Sequence, residues 1–287
     1  VSQRPLVGRA AILGVGLVGG SLGLALRSRG LAREVVGLTR RAETLEAALA
    51  LGAIDRGARS AAEAVKEADL VVLATPVRTA KEHLREMGGG LKSGALVTDV
   101  GSTKAEIVAA AQGLTPRAVF IGGHPIAGAE ESGVKAARAD LFEEATWVLT
   151  PTEECDPVAL AHLEEVIRAV GARPVRMSAQ LHDRLVAASS HGPHLAAGCL
   201  VRLARRLAEE NPELLTLLGS GFRDATRIAA GDPAVWRDIC LTNRDWILAF
   251  LGKLEEEMTS LKHLLARGEA AELELWLASA RQARREM

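Results

Sequence analysis

Two rhythms of apolar and polar positions divide the 287 residues, and one gives way to the other near residue 175. Up to that point short, continuous apolar runs recur at 9–13, 34–39, 68–76, 95–104, 119–125, 147–151 and 172–176. Each breaks at glycine, proline or a small hydroxyl residue, the mark of parallel strands buried on both faces. Helical patterns lie between them, among them 21–27, 40–51 and 157–170. Beyond Met177 strand signals stop, and the periodicity predicts helices over 178–209, 212–230, 233–266 and from 268 to the end. The pattern predicts an α/β chain. Residues 1–175 read as a doubly wound sheet of Rossmann-like kind, and residues 176–287 as an all-α domain.

The third of those helices opens on Asp232 as N-cap with Pro233 at the first helical position. Its apolar residues, Ile239, Trp246, Phe250, Leu254, Met258, Leu261 and Leu265, recur at mostly three- and four-residue steps. A helix of roughly 50 Å is longer than a small domain can cover, so a homodimer through this domain is expected. Within 178–209, Pro193 predicts a kink.

Composition narrows the field. Lys plus Arg number 35 against 36 Asp plus Glu, a net charge of −1, which gives no basic excess for nucleic acid or an anionic membrane. The apolar stretch between Arg9 and Arg27 carries five glycines and is too short for a comfortable membrane span. Three scattered cysteines show neither a disulfide framework nor metal-ligand spacing, so a cytoplasmic location and no metal site are expected. The chain has no tyrosine, which excludes the Tyr-Lys acid of short-chain dehydrogenases and leaves histidine as the natural proton acceptor.

Against that background the first apolar run acquires chemistry. It leads into Gly14-x-Gly16-x-x-Gly19 and then directly into a helical pattern, the strand–turn–helix context of a dinucleotide site. Gly14 makes the turn, Gly16 lets a pyrophosphate approach the backbone, Gly19 lets helix pack on strand, and Leu17 and Val18 open the helix whose free N–H groups face the phosphates. Twenty residues past Gly19, where NAD-binding units carry a ribose-binding carboxylate, stand Thr39, Arg40 and Arg41. Two guanidinium groups and a hydroxyl suit a 2′-phosphate, which favours NADP over NAD; a solvated helix start would explain the same arginines.

Later strands end on polar residues at the carboxyl edge of the sheet, where ligands bind in such folds: Thr75, Ser102 and His124. His124, followed by proline and flanked by glycines, can accept a proton from a substrate hydroxyl as hydride departs, and an acid limb near an ordinary histidine pKa is expected. Ser190 and His194 lie four apart in a helical pattern, and Arg223 and Arg227 one turn apart. Arginine is suited to clamp a carboxylate, although surface salt bridging gives the same spacing.

Six motifs in the same order over nearly the whole chain resemble the prephenate/arogenate dehydrogenase family. They are Gly-Val-Gly-Leu-Val-Gly-Gly-Ser from Gly14, Thr-Asp-Val-Gly-Ser-Thr-Lys from Thr98, His-Pro-Ile-Ala-Gly-x-Glu-x-Ser-Gly from His124, His-Asp-x-x-x-x-x-Ser-Ser-His-x-Pro-His from His182, Phe-Arg-Asp-x-Thr-Arg-Ile-Ala from Phe222 and Asp-Pro-x-x-Trp-x-Asp-Ile from Asp232. The resemblance implies NAD(P)-dependent oxidative decarboxylation on the route to tyrosine. In that reaction hydride leaves the ring carbon bearing the 4-hydroxyl, carbon dioxide is lost and the ring becomes aromatic. By the same resemblance His124 and Ser102 are catalytic, Ser190, His194 and Arg227 hold substrate polar groups, and Glu130 and Trp236 close the pocket. Gly192 stands where members of the family usually carry leucine. The Thr39-Arg40-Arg41 pattern resembles the NADP-preferring arogenate enzymes, and no counterpart of a regulatory ACT domain or fused chorismate mutase is expected. The alternatives are a β-hydroxyacid dehydrogenase, a cofactor-binding sensor without catalysis, and the same chemistry on 4-amino-4-deoxyprephenate. The first needs a catalytic lysine in the helical half, where only Lys253 and Lys262 occur beyond residue 177, both on the long helix.

Overall fold

The computed structural model describes residues 5–87, 89–114, 118–128 and 131–287. Eight strands form one sheet: β1 (Val7–Leu13), β2 (Ala32–Leu38), β3 (Arg56–Gly57), β4 (Leu70–Leu73), β5 (Ala95–Asp99), β6 (Ala118–Pro125), β7 (Thr146–Thr150) and β8 (Arg173–Arg176). Their order is β3-β2-β1-β4-β5-β6-β7-β8. All neighbours run parallel except β6 and β7, which pair antiparallel with His124 opposite Val148. Helices α1 (Leu17–Ser28), α2 (Ala42–Ala50), α3 (Ala61–Val65), α4 (Val77–Met87), α5 (Ala105–Ala111) and α6 (Pro157–Ala169) cover the two faces.

The continuous apolar runs explain this layering. Ile12 and Leu13 are adjacent in β1 and both fully buried, yet they belong to separate clusters, Ile12 with Leu26, Val35 and Phe142, Leu13 with Val71, Leu73 and Ile107. Successive side chains of a strand point to opposite faces, so a strand covered on both sides reads as a continuous apolar run. Strands β2 and β4 flank β1, and the chain reverses its winding direction there. That opens a crevice at the carboxyl ends of β1 and β4.

The second half departs from its periodicity at three places. The segment 178–209 is α7 (Ala179–Val186), a π turn (Ala187–His191) and α8 (Gly192–Glu210), so the disturbance precedes Pro193, which sits in the first turn of α8. A proline lacks the N–H that would complete the preceding turn, and a wide turn absorbs that loss. The segment 212–230 is two 3₁₀ turns, Pro212–Leu217 and Arg227–Ala230, around the short helix α9 (Ser220–Thr226), broken by the extended Gly219. The expected helix 233–266 is two, α10 (Pro233–Thr242) and α11 (Arg244–Arg267), interrupted at Asn243 with φ −123° and ψ 27°. Asn243 is buried, and its amide donates to the Asp183 carbonyl at 2.8 Å, so a tertiary bond holds the break. The chain ends in α12 (Ala270–Glu286), after Gly268 caps α11 in the left-handed region at φ +68°.

Leu200, Leu203 and Leu207 of α8, Trp246, Met258 and Leu265 of α11, and Leu275 and Leu277 of α12 are exposed. No described helix is long and apolar enough to cross a membrane.

Candidate active site

The glycine turn comes first, because backbone alone builds it. Gly14 has φ +107°, and a Cβ there would overlap the Ala74 carbonyl, while a Cβ on Gly19 would overlap the carbonyl of Gly14. Both glycines are required by close packing. Gly16 differs, since a Cβ there would meet nothing within 4 Å. It faces a cavity of about 860 Å³, lined by Gly14, Gly16, Thr39, Arg40, Arg41, Arg59, Thr75 and Glu82 among others. Leu17 and Val18 start α1 and pack partly buried against the core instead of forming the wall, and Gly19 is buried beneath it. Thr75 Oγ1 is buried in that wall without a partner among the described residues. An open cradle at Gly16, an unsatisfied hydroxyl and three arginines fit a dinucleotide. Two acids of α4, Glu82 and Glu86, line it as well; Arg40 Nη2 lies 3.7 Å from Glu82 and 3.4 Å from Thr79 Oγ1, also on α4.

The second cavity, about 770 Å³, is lined by Gly128, Ser189, Ser190, Pro193, His194, Arg227, Ile228, Ala230, Gly231 and Trp236. The π turn gives it two adjacent serines, and α8 gives it His194. Trp236 of α10 stacks flat on His194, with ring centroids 3.3 Å apart and planes 11° from parallel. Burial pushes the His194 imidazole below its ordinary pKa. Four of the expected substrate residues, Ser190, His194, Arg227 and Trp236, thus share one cavity. Arg223, one turn before Arg227, is exposed and outside the lining. Glu130 lies outside the described residues. At Gly192 a Cβ would overlap the Phe250 ring of α11, so here the aromatic ring fills the space a larger residue would take.

A further polar cluster, which the sequence motifs taken one by one do not assemble, holds His124; like Ser102, His124 is among the lining residues of neither cavity. Lys104 is fully buried and pairs with Asp99 at the end of β5; its Nζ also donates to the Gly123 carbonyl at 2.7 Å. Asp99 in turn accepts from the backbone N–H groups of Gly101 at 2.8 Å and Gly123 at 3.0 Å. One ion pair therefore ties the Ser102 turn to the strand residue preceding His124. Desolvation pulls the Lys104 ammonium below the ordinary lysine range, and Asp99 opposes that pull.

His124 Nδ1 lies 2.8 Å from His182 Nε2, and His182 Nδ1 lies 2.7 Å from Asp183 Oδ1. Asp183 also accepts from the backbone N–H groups of Lys104 at 2.7 Å and Ala105 at 2.8 Å, holding the start of α5. His191 completes the cluster through Asn243, 3.0 Å from its Nδ1. Burial is the main cause that holds His124 well below the usual histidine pKa, with the charge of Lys104 and the neighbouring His182 and His191 adding to it. Burial likewise lowers His191 to about 4. This replaces the expectation of an ordinary histidine ionisation: His124 is neutral through and well below the physiological range, as a proton acceptor must be. The signal for the missing residues was present in Asp99 and Lys104 of one motif and His182-Asp183 of another, but periodicity assigns such charges to a surface.

Two family models match the chain, "Prephenate dehydrogenase, nucleotide-binding domain" over residues 22–176 and "Prephenate dehydrogenase, dimerization domain" over residues 178–279. A prephenate dehydrogenase of Bacillus subtilis is 38% identical over 275 residues, covering 95% of this chain and 74% of the relative. Among solved structures, prephenate dehydrogenase from A. aeolicus in complex with hydroxyphenyl propionate and NAD+ superposes with a TM-score of 0.91 at 35% identity, covering 100% of this chain and 99% of the other. Synechocystis arogenate dehydrogenase superposes with a TM-score of 0.82 at 30% identity, covering 97% and 99%. A 3-hydroxyisobutyrate dehydrogenase of Mycobacterium tuberculosis, at 19% identity and a TM-score of 0.53, shares the fold alone.

Proposed function

Because this chain belongs to the prephenate dehydrogenase family, NAD(P)-dependent dehydrogenases of oxidative decarboxylation in tyrosine biosynthesis, we propose how its own residues divide that work. One observation carries the reading. The loop after His124 lends Gly128 to the cavity of Ser190, His194 and Arg227, and Gly133 to the cavity of the glycine turn. That supports a reading in which the histidine at the end of β6 serves the place where the two ligands meet.

The bound nicotinamide supplies a hydride acceptor. Gly14, Gly16 and Gly19 shape the pyrophosphate turn, Leu17 and Val18 present helix N–H groups, and Thr75 offers its unsatisfied hydroxyl. On the substrate side Arg227 clamps a carboxylate, Ser190 and His194 hold polar groups, and Trp236 keeps His194 in place by stacking. Glu130 belongs to this set by resemblance. Neutral His124 accepts the hydrogen bond of the 4-hydroxyl and takes its proton as hydride leaves the same carbon. Loss of carbon dioxide returns an electron pair to the ring, and the phenol regains the proton, so no net proton is released. By the same resemblance Ser102, on the turn that Asp99 and Lys104 fix, stands beside His124 near the hydroxyl and the nicotinamide.

Thr39, Arg40, Arg41 and Arg59 around one end of the cofactor cavity favour NADP, since the end of β2 offers no carboxylate to repel a 2′-phosphate. The boundary between the domains falls near residue 175. The apolar exposed faces of α8, α11 and α12 support a homodimer, and a monodisperse monomer in light scattering at micromolar concentration would refute it. A cytoplasmic location fits the scattered cysteines. The direct test is a two-by-two initial-rate assay, prephenate or arogenate with NADP or NAD. Turnover of at least one substrate with NADP preferred is the expected result. Preference for NAD overturns the reading of Arg40 and Arg41, and no turnover of either substrate overturns the substrate class.

A further inference from the structure

We infer that His182 and Asp183 are positioning residues that fix which nitrogen of His124 can accept a proton. The inference rests on the reading of His124 as the proton acceptor, and it follows from the order of donors and acceptors along one chain of contacts.

The chain starts at Asp183, whose side chain is an acceptor. Its Oδ1 takes the Lys104 N–H and its Oδ2 takes the Ala105 N–H, so both oxygens already face donors. His182 Nδ1, 2.7 Å from Oδ1, must then be the donor of that contact. A neutral imidazole with hydrogen on Nδ1 has its lone pair on Nε2. That lone pair faces His124 Nδ1 at 2.8 Å, which must therefore carry hydrogen and donate. The consequence reaches the far side of the ring, since His124 is left with its lone pair on Nε2. Two buried side chains thus choose the tautomer of a third, in the manner in which a buried aspartate orients the histidine of a catalytic triad.

Packing makes the arrangement hard to escape. His182 and Asp183 are each 1% exposed. Asn243 fixes the Asp183 carbonyl at 2.8 Å from the break between α10 and α11. The groups facing the relay from the sheet side are Lys104 and Asp99, and from the helical side His191. An extra proton on His124 lies close to the Lys104 charge, which disfavours it at rest. When His124 takes a proton on Nε2, His182 Nε2 remains its acceptor and Asp183 stands behind as counter-charge. Asp183 also caps α5, so a structural role has to be separated from the positioning role.

The test uses the whole 287-residue chain labelled with ¹⁵N in its seven histidines. In the unmodified protein, long-range ¹H–¹⁵N spectra should show His124 with hydrogen on Nδ1; hydrogen on Nε2 overturns the inference whether or not any variant folds. Asp183→Asn can turn an amide N–H toward His182 Nδ1, which reverses both tautomers. The expected result is a loss of kcat of on the order of 10³-fold or more, with the KM of the substrate and the binding of NADP within about threefold. His124 should then carry its hydrogen on Nε2. A variant that is less stable but keeps kcat within tenfold makes Asp183 a cap of α5 only and overturns the inference. If the unmodified protein has the expected tautomer but turns over neither prephenate nor arogenate, the substrate reading falls and the relay stands.

Discussion

Two ion pairs of ordinary composition, one in the core beside His124 and one at the rim of the cofactor cavity, behave in opposite ways. Lys104 and Asp99 are 0% and 1% exposed, and backbone groups of the Ser102 turn and of Gly123 bond to both partners. Arg40 and Glu82 are 76% and 58% exposed and only 3.7 Å apart at the rim of the cofactor cavity. The buried pair cannot rearrange without stranding a charge in low dielectric, so it acts as a fixture for the Ser102 turn and for the strand residue before His124. The rim pair is screened by water and salt and can exchange its partner for a ligand phosphate at little cost. Charge holds position where water is excluded and stays exchangeable where water is present.

Changes at the buried end should therefore have the largest effects. Lys104→Met leaves Asp99 buried without its partner, and urea unfolding should register a loss of about 3–5 kcal/mol. A second change, Asp99→Leu, should recover part of that loss; a Lys104→Met protein as stable as the parent contradicts the fixture. Next comes acid. His191 has a folded pKa of about 4 against 6.5 for an ordinary histidine, so the folded form resists protonation and the unfolded chain does not. The stability from this group is complete above pH 6.5 and is lost as the pH falls toward 4, by about 3 kcal/mol. His191→Gln should flatten the fall between those values, and an unchanged slope removes His191 as its cause.

Smaller effects are expected toward the open cavities. Arg227→Ala should raise the substrate KM roughly 30-fold, the equivalent of about 2 kcal/mol for a hydrogen-bonded charge, with a lesser change in kcat. Unchanged KM would make Arg227 a structural residue. The smallest effect belongs to the rim. Glu82→Gln frees Arg40 and should lower the KM for NADP by about two- to fivefold, within 1 kcal/mol, while leaving NAD unaffected. Equal effects on both cofactors would mean that the arginine does not meet the 2′-phosphate.

The same division explains what could be read before the fold was known. The glycine turn, the strand ends bearing Thr75, Ser102 and His124, and the change from sheet to helix were legible because each depends on neighbours within a few residues. The break at Asn243 was not, because its amide bonds Asp183 across 60 residues of sequence and His191 across 52. Nor was the π turn, whose serines enter the cavity only because Pro193 follows them and α11 packs Phe250 against Gly192. Lys104 is the sharpest case. A lysine next to a short alanine-rich helix reads as surface, and only the meeting of β5 with β6 explains why it is buried. Resemblance supplied the names of Ser190, His194 and Arg227, and the structure brings all three to one cavity.

The central claim is that His124 is a neutral base held below its ordinary pKa by burial and the Lys104 charge. The most direct test is the pH dependence of kcat/KM for the substrate the enzyme turns over, measured for the parent and for His124→Asn. The acid limb should lie well below pH 6.5, and the variant should lose on the order of 10²–10⁴-fold in kcat with little change in KM. An acid limb at or above pH 6.5, or a His124→Asn enzyme with parental turnover, would contradict it.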